Sequence, residues 1–240
     1  MAGCRAIRVY SESDIPPDEG IHGSAVHLLF GSPTGLTTTG SQYILTTDLL
    51  SEGLRYVRFT ATFGDFNRDG RADLVLASGD GPLMVLHGHE DGLHIAPLSH
   101  ATTPGQDGDW GYGSGEDETA IRAAAGDFTG DGYPDLVFEG GYETVKVILG
   151  SSAGLVPDVT SWSVPAAEYS DLAVLTLSGG SHAWVAATRE SQASNYAGAV
   201  TVVRGTPAGT LGPATVWSQD SPGIKGASEP YDGFGNVIGG

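Results

Sequence analysis

The sequence predicts an all-β fold built from repeated units of short antiparallel strands. Three observations carry this reading. An apolar stretch followed by a glycine hairpin occurs four times at a near-constant interval. An acidic nonapeptide precedes two of those stretches, and no segment sustains helical periodicity.

The hairpin string first runs Val26-His27-Leu28-Leu29-Phe30-Gly31 and closes at Gly35-Leu36. It returns as Met84-Val85-Leu86-His87-Gly88 with Gly92-Leu93, and as Val145-Lys146-Val147-Ile148-Leu149-Gly150 with Gly154-Leu155. A looser copy is Val200-Thr201-Val202-Val203-Arg204-Gly205 with Gly209-Thr210-Leu211. The first glycines of successive copies are 57, 62 and 55 residues apart. A period near 58 with several short strands per unit points to a propeller or another β-array, not to a single sandwich.

The second unit parses as four strands. A strand at 56–63 runs into the acidic loop, a second follows at 73–77, and a third at 83–87. The hairpin at 88–92 leads to a fourth near 94–101. Four antiparallel strands per unit make a propeller blade. The short helical pattern at 118–125 fits the first strand of the next unit as well. Units are expected at about 1–50, 51–105, 106–165 and 166–220, with a further one opening at 221–240. Residues 106–117 form a Gly- and Asp-rich loop between units, in which Trp110 and Tyr112 are candidate ligand contacts.

The chain has 240 residues, 29 Asp+Glu against 11 Lys+Arg, and a formal net charge of −18. That length is ample for a large core. Its acidity argues against nucleic acid, because no basic footprint exists to neutralise phosphates. The balance suits a soluble protein that binds cations. The single Cys4 has no partner for an internal disulfide and reads as an inert thiol. No segment approaches the ~20 apolar residues of a membrane span. Residues 1–20 carry no apolar signal region, so the chain is either cytoplasmic or lacks its true N-terminus.

The nonapeptide is Asp65-Phe66-Asn67-Arg68-Asp69-Gly70-Arg71-Ala72-Asp73, then Asp127-Phe128-Thr129-Gly130-Asp131-Gly132-Tyr133-Pro134-Asp135. Oxygen side chains at positions 1, 3, 5 and 9, with Gly at 6 for a sharp reversal, suit a hard cation such as Ca²⁺, which is ligated by carboxylates, carbonyls and water. Three carboxylates so close repel one another by ~1 kcal/mol per pair at about 4 Å even in bulk water, and a cation relieves that. An EF-hand would require Glu at position 12 and flanking helices. Position 12 is Leu76 or Phe138, between strand-like flanks. One copy alone also reads as an acidic Asp-Gly hairpin turn; two copies in the same context favour a strand-loop-strand calcium site. Aligned without gaps, the fourth unit carries Thr176, Ser178, Gly180 and Trp184 at the ligand positions. No metal is expected there.

Other chemistries are less well supported. His87, His89 and His94 lie close together but straddle a turn glycine, a poor frame for zinc. The string Gly111-Tyr112-Gly113-Ser114-Gly115 lies in a loop and has the wrong frame for a nucleophile elbow. Glu116 and Glu118 read as a solvated charge run rather than a glycosidase pair. Trp162, Trp184 and Trp217 sit in strand contexts and are expected in core or inter-blade packing.

The Asp-Phe-Asn-x-Asp-Gly-x-x-Asp-Leu loop, followed by Val-x-x-Gly-x-x-x-Gly-Leu, resembles the FG-GAP repeats of the integrin α-subunit β-propeller and of bacterial, VCBS-like proteins. The resemblance extends over essentially the whole chain, and a Phe-Gly pair stands at Phe234-Gly235. The corresponding positions of units two and three depart from it, as Arg58-Phe59 and Ala120-Ile121. The resemblance implies two Ca²⁺ sites. Asp65, Asn67, Asp69 and Asp73 would ligate one by side chain with the Arg71 carbonyl; Asp127, Thr129, Asp131 and Asp135 would ligate the other with the Tyr133 carbonyl. It also implies a seven-bladed propeller, secreted or displayed at the cell surface, of which this chain is a segment of about four blades.

Two function classes follow. One is a calcium-rigidified module that binds a protein or glycan through its loops, as in adhesion. The other is the scaffold of a secreted hydrolase or polysaccharide lyase, since fold does not dictate function. No convergent catalytic set is visible, which favours binding. At the ends, residues 5–11 align with the second strand of a blade and 240 stops short of the next loop position. The expectation is an open arc; the alternative is a four-bladed ring closed by pairing of 234–238 with 5–11.

Overall fold

The computed structural model describes residues 4–11, 24–45, 60–77, 83–95, 122–139, 144–156, 159–163, 172–176, 182–188, 196–206 and 212–235. Every regular element among them is a strand: β1 (Cys4–Ser11), β2 (Ser24–Ser32), β3 (Gly35–Leu45), β4 (Thr60–Gly64), β5 (Asp73–Ala77), β6 (Met84–His89), β7 (Gly92–Ile95), β8 (Ala123–Gly126), β9 (Asp135–Glu139), β10 (Thr144–Ile148), β11 (Val159–Ser163), β12 (Leu172–Thr176), β13 (His182–Thr188), β14 (Ala199–Arg204) and β15 (Thr215–Trp217). No helix among the described residues is long and apolar enough to cross a membrane.

The strands form four antiparallel sheets in which chain neighbours pair in sequence: β1-β2-β3, β4-β5-β6-β7, β8-β9-β10-β11 and β12-β13-β14-β15. This is the up-and-down meander of propeller blades. The chain divides into two compact units, residues 1–65 with 69–121, and 66–68 with 122–240.

In the first unit, Val26 and Leu28 of β2 pack with Leu74 and Leu76 of β5, Met84 and Leu86 of β6, and Leu93 of β7. All five residues of β5 are fully buried. A strand covered on both faces must be apolar at every position rather than alternating, which explains why Leu74-Val75-Leu76-Ala77 reads as an unbroken run. Gln42 of β3 joins the two sheets. Its Oε1 accepts the Leu93 N–H at 2.7 Å and its Nε2 donates to the Leu93 carbonyl at 3.2 Å. A side-chain amide here supplies both halves of a ladder step for the edge strand β7.

In the second unit, Phe128, Val137 of β9, Val147 of β10, Leu172 of β12 and Val203 of β14 form the core. The β8 strand meets β12 so closely that a Cβ built on Gly126 would collide with the Val174 side chain. The β14 strand alternates, with Ala199, Thr201 and Val203 inward. It is half-covered, as its period of two demands.

Several boundaries differ from the sequence reading. The hairpin read at 88–92 is tighter: β6 runs through Gly88 and His89, His89 pairs with Gly92, and only Glu90-Asp91 form the turn. The first hairpin is built alike, with Ser32 opposite Gly35. Two-residue turns keep the ladder intact to the tip. Trp162, Trp184 and Trp217 all lie in strands, but Trp217 is 39% exposed. β15 is a sheet edge with all three side chains exposed, which corrects the packing role expected for that residue. The expectations for 106–117, including Trp110, Tyr112, Glu116 and the Gly111–Gly115 string, fall outside the described residues, as do Glu118, 177–181 and 236–240. The pairing of 234–238 with β1 is thereby outside them too; Phe234 and Gly235 form a turn.

Candidate metal centre in two acidic loops

Both nonapeptides connect the first strand of a sheet to the second, β4 to β5 and β8 to β9, and position 9 is the first residue of the second strand. Each loop is anchored at position 2 by a buried phenylalanine, Phe66 or Phe128. The backbone turns left-handed at positions 4 and 6 of both: Arg68 (φ 59°) and Gly70 (φ 86°), Gly130 (φ 75°) and Gly132 (φ 93°). Such angles are cheap only for glycine, so Gly at position 6 is a backbone requirement.

The carboxylates organise the loop through its own N–H groups. Asp65 accepts from Asp69 N and Gly70 N, both at 2.9 Å. Asp127 accepts from Gly130 N at 2.6 Å and Gly132 N at 2.9 Å, with the Thr129 hydroxyl at 3.4 Å. At position 5, Asp69 accepts from Arg71 N and Asp131 from Tyr133 N, both at 2.9 Å. Asn67 occupies the turn of the first loop, half-buried.

Position 9 ties the loop to the sheet. Asp73 and Asp135 are fully buried. Asp73 accepts the Gly88 N–H and Asp135 the Gly150 N–H, each at 2.9 Å across fifteen residues. Asp135 also accepts from Phe128 N at 2.7 Å and Thr129 N at 3.3 Å. The two sequence motifs, acidic loop and glycine hairpin, are thus one bonded unit. Only glycine fits at the hairpin end: a Cβ on Gly88 would meet the Ala72 carbonyl at 2.5 Å, and one on Gly150 would collide with the Pro134 carbonyl. Sequence reasoning named Asp73 and Asp135 but missed Gly88 and Gly150 as their partners. The identical spacing in both copies was the available signal.

Electrostatics differ between the loops. Burial pushes the Asp135 carboxyl up to about 6; its three N–H donors pull the other way, and the charge of Asp131 adds to the rise. In the first loop, Arg71 lies 3.6 Å from Asp69 and 3.1 Å from Glu90. His87 Nδ1 sits 3.4 Å from Asp73 Oδ1, in a geometry that makes no hydrogen bond. His89 and His94 stack at 4.3 Å, and His94 Nε2 lies 2.8 Å from Asp91.

Among the described residues, no three His, Cys, Asp or Glu side chains converge to hold a metal ion; the loop carboxylates face backbone N–H groups. The donor chemistry nevertheless fits a hard cation. Positions 1, 3, 5 and 9 are all oxygen donors, and a carboxylate offers about four lone-pair sites. Asp65 places two N–H donors on those sites.

No curated protein matches the chain. Residues 65–138, which begin at the first loop and end in β9 beyond the second, match the family model of the FG-GAP-like repeat. That match lies on two loops of the same backbone design, so the stretch from the first loop to β9 is similar to an FG-GAP-like repeat.

Proposed function

We propose that this chain is a calcium-binding, integrin-like propeller segment acting as a recognition or adhesion module for a protein or glycan, secreted or at the cell surface. The observation that carries the reading is the bond from the buried position-9 aspartate to the third strand, repeated as Asp73–Gly88 and Asp135–Gly150. An ion held by the loop would act through that aspartate on the sheet itself. Asp65, Asn67, Asp69 and Asp73 with the Arg71 carbonyl would hold one Ca²⁺. Asp127, Thr129, Asp131 and Asp135 with the Tyr133 carbonyl would hold the other. The bound ion would neutralise clustered carboxylates and stiffen the loop; it supplies no catalytic step.

Calorimetric titration of the chelator-treated chain with Ca²⁺, run beside thermal melts, tests this. Two binding events are expected, together with a melting temperature that climbs with calcium. Saturation to about a hundredfold over Kd adds ~2.7 kcal/mol per site by mass action. A chain that takes up no calcium and melts unchanged would refute the reading.

A further inference from the structure

Away from the acidic loops, two tyrosines in the second unit share a strained and exposed arrangement. Tyr196 and Tyr231 lie with ring centroids 5.7 Å apart and planes only 17° from parallel, an offset stack. Both adopt left-handed backbone, φ 57° and 69°, a conformation that a residue with a bulky side chain resists. Tyr231 is nevertheless 77% exposed, so burial of its ring does not offset that cost. Strain held by surrounding structure at an exposed residue is a pointer to function.

The surroundings do hold it. Gly233 N donates to the Tyr196 carbonyl at 3.2 Å and Phe234 N to the Ala197 carbonyl at 2.9 Å. A Cβ on Gly198 would collide with the Phe234 backbone, so the two segments are in close contact. Asp232 accepts from Glu229 N at 2.9 Å. The Gln219 amide, oriented to satisfy both its atoms, donates to Ala227 O at 3.1 Å and Asp232 Oδ2 at 2.6 Å. Asp220 accepts from Ser228 N at 3.0 Å.

We infer that Tyr231, backed by Tyr196, is a stacking platform for one ring of a neutral glycan. This deepens the binding-module reading above and rests on it. Because Tyr196 covers one face of Tyr231, what remains open is a single flat apolar hexagon with a hydroxyl at its rim. That shape matches the apolar face of a pyranose. A polyproline segment requires a groove between separated aromatic rings, which a closed stack does not offer. The flanking Asp220, Glu229 and Asp232 accept sugar hydroxyls and repel uronates or sulfated chains; their charge fits the net −18 of the chain.

The test titrates the intact, calcium-loaded chain with cellohexaose, laminarihexaose and N-acetylchitohexaose by calorimetry, with a proline-rich peptide as comparison. At least one hexasaccharide is expected to bind. Tyr231→Ala should weaken it about tenfold or more, which is ~1.4 kcal/mol, and Tyr231→Phe should hold it within about threefold. Circular dichroism and calcium uptake of each variant, measured in parallel, report on the fold and on the calcium reading separately. Silence toward all three sugars overturns the proposal, as does sugar binding indifferent to Tyr231→Ala. Peptide binding that depends on Tyr231 while the sugars stay silent overturns it too, yet leaves the binding-module reading standing.

Discussion

The loops at 65–73 and 127–135 share a backbone and differ in what surrounds their charges. Both turn left-handed at positions 4 and 6 and lash position 9 to a hairpin glycine. Position 4, however, is Arg68 in one and Gly130 in the other, and position 7 is Arg71 or Tyr133. The residue before the hairpin glycine is His87 beside Asp73, but Leu149 in the second copy. The first loop therefore sets Arg71 beside Asp69. In the second the carboxylates accept from backbone N–H groups and the Thr129 hydroxyl, and the Arg68 side chain lies against Gly132. Repetition preserves the hydrogen-bonded frame and lets the electrostatics drift.

The largest expected effect tests the frame. Asp135→Ala strands the buried N–H groups of Gly150, Phe128 and Thr129, and an unsatisfied buried donor costs ~1–3 kcal/mol. Urea unfolding should show a loss of about 3 kcal/mol or more, and Asp135→Asn should lose less, because its amide oxygen still accepts. A loss under ~1 kcal/mol for the alanine variant would show that this aspartate does not organise the loop.

The next effect separates the loops by affinity. Asn67 offers a carbonyl oxygen where Thr129 offers a hydroxyl, which favours calcium in the first loop; Arg71 opposes it. Arg71 lies 3.6 Å from Asp69, inside the ~8 Å Debye length at about 0.15 M salt, so salt screens it only in part. The donor difference is expected to outweigh it, and the first loop should bind more tightly. Asp69→Ala should then abolish the tighter calorimetric event and Asp131→Ala the weaker. Arg71→Gln should strengthen the first site a few-fold at low salt, and the gain should shrink as salt is added. The opposite assignment of tight and weak sites would reverse the ranking.

Titration sharpens the contrast further. The folded pKa of Asp135, about 6, lies above its ordinary value of 3.8. A raised folded value means that the protonated form is favoured by folding, so stability is present at low pH and lost as pH rises through about 6. In calcium-free buffer, moving from pH 7 to pH 5 should therefore add on the order of 1 kcal/mol from this group, and Asp135→Asn should erase that dependence. A slope unchanged by the substitution would locate the titration elsewhere.

The smallest effect concerns position 4. Nothing lies within 4 Å of a Cβ at Gly130, so Gly130→Ala should cost only its left-handed strain, ~1 kcal/mol. Arg68→Gly should change stability by less than that, because relief of strain is offset by ~0.5–1 kcal/mol of added chain freedom in the unfolded state. Thermal melts of the two variants give the comparison directly.

The strand order, the loop positions and the hairpins were legible because each rests on local spacing. Alternation and apolar runs set the strands, and a nonapeptide with Gly at position 6 can only turn sharply. The candidate ligands Asp65 through Asp135 were legible for the same reason, since an oxygen-rich loop is a property of neighbouring residues. The bonds Asp73–Gly88 and Asp135–Gly150 were half-legible: their spacing repeats, but nothing in a single copy says that a buried carboxylate seeks that N–H.

By itself, then, the sequence determined an all-β chain of repeated antiparallel units with two acidic, glycine-turned loops. Only the tertiary structure decided which groups those loops satisfy, that Gln42 completes the edge of β7, that Trp217 faces outward, and that Tyr196 and Tyr231 stack. The physical reason is range. Backbone geometry and apolar period act between neighbours and are written in order along the chain, whereas burial and side-chain partnership arise between residues that only folding brings together.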